Sequence, residues 1–119
     1  TATSADETID VVTPGSKEVT LALQEKASYN DIAIQPASII EESRCPKSLT
    51  CIQAGRVRIS LNILSLEGEH ILSKVLEEGA FFYAGSTKVT LVKVTPFPVD
   101  SVKIADKDYR FEFLLEVVE

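Results

Sequence analysis

Residues Arg56 to Leu64 run R-V-R-I-S-L-N-I-L, and in them Val57, Ile59, Leu61 and Ile63 alternate with Arg58, Ser60 and Asn62. Successive side chains of an extended chain point to opposite faces, so this spacing predicts a strand with one face on a core and the other in water. The segments on either side repeat the theme. Toward the C-terminus, Lys88 to Val94 carries the β-rich run V-T-L-V-K-V, closed by Thr95-Pro96-Phe97-Pro98. Beyond it Tyr109, Phe111, Phe113, Leu115 and Val117 share one face of a final strand, with Arg110, Glu112 and Glu116 on the other.

Toward the N-terminus, Lys17 to Gln24 alternates Val19, Leu21 and Leu23 with Thr20, Ala22 and Gln24. Ser28 to Pro36 continues through Ile32 and Ile34, with a bend at Asn30-Asp31, and Ser38 to Glu42 is a short apolar piece. In His70 to Glu78 the residues Ile71, Leu72, Val75 and Leu76 also fit helical spacing. The flanking Gly68 and Gly79 leave room for about one strand, which predicts a strand there. About seven short strands with turn signals between them, and no long helical pattern, predict an all-β fold, an antiparallel β-sandwich with one small disulfide-closed loop. Residues 1–16, ending in the turn signal Thr13-Pro14-Gly15, are expected to form a mobile N-terminal tether, and 17–119 a single domain. The chain lacks tryptophan, and its two cysteines are too close together for an immunoglobulin inter-sheet pair.

Composition narrows the function classes. Of 119 residues 45% are hydrophobic, enough for a packed core rather than a disordered chain. The net charge is −6, from 18 acidic and 12 basic side chains, which disfavours nucleic-acid phosphates and anionic membrane surfaces. No apolar run approaches the roughly 20 residues that span a bilayer.

The densest chemistry lies in Glu41 to Gly55, E-E-S-R-C-P-K-S-L-T-C-I-Q-A-G, which holds both cysteines. Pro46, Lys47 and Ser48 let the segment between Cys45 and Cys51 turn back, and a bridge there would contribute roughly 2.4 kcal/mol in the loop-entropy account. Polar, turn-like surroundings favour the bridge in an oxidising compartment; two separately buried thiols are the alternative. A redox-active pair fits less well, because C-x5-C lacks the C-x-x-C spacing. Arg44 and Arg56 bracket the loop. Arg44 either braces loop carbonyls or meets a ligand, and with Lys47, Gln53 and Arg56 it forms the candidate contact surface.

The string E-S-R-C-P, followed by Cys51, Ala54-Gly55, an alternating strand, V-T-L-V-K-V-T-P-F-P and the closing strand from Tyr109, resembles a group of small bacterial cell-envelope proteins, many of them apparent lipoproteins. Their signature is D-S-R-C-P…C-x-W-A-G, and the likeness runs from about Val19 to Val118. Glu42 stands where those proteins have aspartate, and Gln53 where an aromatic residue is common. The resemblance implies an extracytoplasmic β domain (periplasm, outer-membrane surface or secreted), with an N-terminal lipid tether in the precursor. It supplies no activity.

Other candidate groups carry less. His70 is the sole histidine, without a second His or a Cys in zinc spacing, and is expected in a solvated turn. Asp106 and Asp108, with Asp100 nearby, could offer calcium oxygens but lack the EF-hand pattern, so an exposed turn is expected and no metal. Glu77 and Glu78 are neighbours whose side chains diverge on a strand, which excludes a glycosidase pair. No catalytic residue and no cofactor are expected. The leading expectation is a non-catalytic binding or structural module with an unknown protein or glycan partner. A peptidase inhibitor presenting the stapled loop and an enzyme with an unrecognised site are the alternatives.

Overall fold

The computed structural model describes residues 15–46, 51–52, 55–99 and 103–118. Among them are eight strands: β1 (Ser16–Leu21), β2 (Ala27–Tyr29), β3 (Ile32–Glu42), β4 (Val57–Leu64), β5 (His70–Glu77), β6 (Phe81–Ala84), β7 (Thr87–Thr95) and β8 (Arg110–Val117). A single 3-10 turn, Asp106–Asp108, precedes β8. Two four-stranded sheets result, with orders β2-β3-β4-β5 and β1-β8-β7-β6, and every pairing is antiparallel. Strands follow one another in space as they do in sequence, and β8 returns to pair with β1. The chain is an up-and-down circuit pressed into two layers.

The alternation in β4 builds the core. Val57, Ile59, Leu61 and Ile63 are buried and share one cluster with Val89 and Leu91 of β7 and Phe111, Phe113 and Leu115 of β8. Arg58, Ser60 and Asn62, between them, are partly exposed. The corner after β5 ties the layers together, since Glu78 N–H donates to Val57 O at 3.1 Å in one sheet and Gly79 N–H to Leu91 O at 2.7 Å in the other.

The structure departs from the sequence reading in three places. Ser38 to Glu42 is not a separate piece, because β3, 11 residues from Ile32 to Glu42, continues through Pro36. β2 pairs with β3 only as far as Ile34, so among the described residues β3 beyond that point has a strand on one side alone. Pro36 O accepts the Gln24 N–H at 2.7 Å, which places the proline nitrogen on that open side, where a missing N–H breaks no ladder bond. Second, β6 was not anticipated, and Asn30-Asp31 is the turn of a hairpin that separates β2 from β3; together these make the count eight. Third, β5 is a strand, but only Leu76 on it is buried. Of the expected tether, residues 1–14 fall outside the described residues, and Ser16 already belongs to β1.

Two connections, 43–56 and 96–109, are fourteen residues long, whereas the others have five or fewer. Both long connections leave the same end of the sandwich.

Candidate functional site

The start of the 43–56 connection is a lock made from consecutive side chains. Ser43 N–H donates to Arg56 O at 2.8 Å, and the Ser43 hydroxyl accepts the Arg56 N–H at 3.0 Å. Gly55 lies so close to this pair that an added Cβ would sit 1.7 Å from Ser43 O, and its φ of +71° suits glycine. Arg44 turns inward and is only 7% exposed. Its Nη1 donates to Val94 O at 2.8 Å and its Nη2 to Pro96 O at 3.1 Å, so it grips the end of β7 in the opposite sheet. Glu42 holds the same guanidinium through both carboxylate oxygens, with Nε to Oε2 at 2.9 Å, and accepts the Tyr109 hydroxyl at 2.9 Å. The Phe97 ring lies 5.4 Å from the guanidinium carbon.

A buried cation, a carboxylate and a phenol therefore join the ends of β3, β7 and β8. Burial pushes the Glu42 carboxyl up, but the hydrogen bonds from Arg44 and Tyr109 outweigh it and hold it below its usual value. Burial, and then the bond to Glu42, push the Tyr109 phenol up to about 12. Outside the lock, Glu41 Oε1 accepts from Arg56 Nε at 3.0 Å and Arg58 Nε at 2.9 Å. The Ser43 hydroxyl and then Arg56 hold the Glu41 carboxyl below its usual range.

Cys45 and Cys51 are bonded, with Cα atoms 6.0 Å apart. Of the candidate contact surface, Arg44 is committed to the interior as a brace, and Arg56 is exposed beside Glu41 and Glu77. Lys47 and Gln53 lie outside the described residues, as does Asp100. His70 is exposed and pairs with the Ser73 hydroxyl at 2.9 Å. Asp106 and Asp108 sit in the exposed 3-10 turn. Glu78 Oε2 accepts the Val94 N–H at 2.8 Å, which makes it a strand-end anchor. Among the described residues no group of three or more His, Cys, Asp or Glu is placed to hold a metal.

Next to the lock is a groove of about 320 Å³, mostly apolar, lined by Ile39, Glu42, Pro98, Lys103, Ile104, Asp106 and Tyr109. Sequence reasoning missed it. Ile39 and Glu42 come from the end of β3 and the other five residues from the 96–109 connection, Pro98 near its start and the rest near its end, so only the fold brings them together.

The chain was compared with protein-family models, curated proteins and solved structures, and nothing matches in any of the three.

Proposed function

We propose that this chain is a non-catalytic, extracytoplasmic binding module, and that its contact end is the one carrying the disulfide loop and the 96–109 connection. The observation that carries this reading is the convergence of the two long connections on one end, where Arg44 ties the start of one to the start of the other and the disulfide bridges the first, beside an apolar groove. Loops held on a β scaffold lose little entropy when they dock, which is how a small surface gains affinity. Arg56 is exposed at that end beside Glu41 and Glu77, and Lys47 belongs to the same connection in sequence, so a partner carboxylate could share the guanidinium. A disulfide between such near neighbours suits an oxidising compartment, and the resemblance to bacterial envelope proteins suggests attachment there through a lipid tether.

The test is capture of a partner from envelope extract on immobilised protein. Wild type should retain a specific partner. Lys47→Glu with Arg56→Glu, and separately Cys45→Ser with Cys51→Ser, should lose it while remaining folded, and Lys88→Glu, on the outer face of the β6–β7 hairpin, should not. Equal capture by all of these, or none by wild type, overturns the proposal.

A further inference from the structure

We infer that the partner of this end is an extended polypeptide segment, which adds to the open edge of β3 and places apolar side chains in the groove. The inference rests on the binding-module reading above and names the chemistry of its partner.

The argument begins with hydrogen-bond phase. In an antiparallel pair, residues alternate between those whose main-chain groups face one neighbouring strand and those that face the other. Val57 O accepts the Glu78 N–H, so the main chain of Val57 faces away from β3. By alternation Ile59 faces the same way, toward β5. Ile39 is directly opposite Ile59, and Glu42 opposite Val57, so the N–H and C=O of Ile39 and Glu42 point away from β4. On that side β2 has already ended, and the Gln24 bonds reach only Pro36 and Ala37. Both residues that turn main-chain groups to the open edge also line the groove.

The side chains suit an added strand. Alternate residues of such a strand would face the groove, against Ile39, Pro98, Ile104 and Tyr109. The intervening ones would face Ile40, which is 48% exposed and lies in a bulge of the β3–β4 ladder. Main-chain bonds along an open edge, with pockets for every second side chain, are the means by which β-strand addition binds peptides.

β5, the edge strand on the far side of the same sheet, bears Lys74 on the side turned toward the core, its Nζ 5.9 Å from the Phe82 ring, and such an inward-turned charge discourages a further strand. The charge on the groove side of β3 is Glu42, whose carboxylate is already held by Arg44 and the Tyr109 hydroxyl, so β3 presents Ile39 and Ile40 there.

Phage-displayed random linear decapeptides selected on the folded protein supply the probe, and one selected sequence is then synthesised. Its binding should slow hydrogen exchange at the Ile39 amide. N-methylation of alternate peptide amides should weaken it about tenfold or more, with the intervening positions tolerant, because only every second amide faces the edge. Ile40→Lys, at an exposed position, should reduce binding without lowering thermal stability. Selection of no peptide, N-methylation without effect, or protection confined to Arg56 and its neighbours would overturn the strand inference. A partner captured from extract that leaves the Ile39 amide unprotected would defeat it while sparing the binding-module reading. Loss of capture by wild type defeats that reading itself. Peptide-independent dimerisation that protects Ile39 would make a second copy the occupant, against the inference.

Discussion

Arg44 and Gly55 show how two residues can fix a loop by opposite means. Arg44 works through what it holds. Removing its side chain would leave Glu42 with the Tyr109 hydroxyl and a long bond from the residue-44 amide, and Val94 O and Pro96 O without the guanidinium donor. Breaking one side of a buried pair typically costs 3–5 kcal/mol; Glu42 keeps some access to water, so Arg44→Ala should cost about 3 kcal/mol in urea unfolding. A change under 1 kcal/mol would mean that the guanidinium is not a brace. Gly55 works through what it lacks. Gly55→Ala forces a side chain into left-handed backbone and against Ser43 O, and should cost at least ~2 kcal/mol, whereas Gly79→Ala, with nothing within 4 Å of the added methyl, bears the backbone term alone at ~1 kcal/mol. Equal losses at the two glycines would contradict the close approach. Ser43 and Gly55 are twelve residues apart in sequence, and no local pattern reveals that they touch.

At the scale of elements, legibility followed the contrast between the two faces of a strand. β4 and β8 alternate buried apolar with more exposed polar residues, and their spacing alone was enough to identify them. β6 is four residues of F-F-Y-A, and its outward positions are Phe81 and Tyr83, so the polar half of the pattern is missing. The break expected between Pro36 and Ser38 did not occur because an open edge tolerates proline. The groove was illegible for another reason: Ile39, Pro98 and Ile104 are unremarkable apolar residues until the sheets place them together. Phenylalanine truncation separates these environments. Phe113 is 1% exposed in the core and Phe113→Ala should cost ~3–5 kcal/mol, while Phe81, 52% exposed on the outer face, should cost under ~1 kcal/mol. Urea midpoints for the two variants check this directly, and a larger loss at Phe81 would place the outer face in a hidden interface.

For the whole molecule, the two sheets are tied at both ends by polar clusters, and these make stability depend on pH in a way that identifies each. At the end away from the long connections, Asp31 accepts the Thr87 hydroxyl at 3.0 Å and the Ser86 hydroxyl at 3.2 Å, and Asn30 Nδ2 donates to Thr87 Oγ1 at 3.0 Å. The Thr87 bond, followed by those from Ser86, outweighs a smaller effect of burial and holds the Asp31 carboxyl below its ordinary 3.8. Glu41 and Glu42, at the other end, lie below their ordinary 4.5. A carboxyl whose folded value is depressed contributes stability that is complete above its unfolded value and disappears as pH falls through the folded one. Acid should therefore loosen both ends, and Asp31→Asn and Glu42→Gln should each flatten the acid flank of a melting-temperature profile.

The alkaline flank belongs to one end alone. Tyr109 is raised from 10.0 to about 12, so its contribution is complete below pH 10 and is lost as pH climbs through 12. Tyr109→Phe removes the hydroxyl's bond to Glu42, a loss of about 1 kcal/mol at neutral pH, and also removes the group that titrates. The gap in melting temperature between wild type and Tyr109→Phe should therefore be widest near neutrality and close as pH rises from 10 to 12. A gap that stayed constant across that range would show that the phenol titrates alike in the folded and unfolded chains, and Tyr109 would then be no part of the lock that holds the contact end in shape.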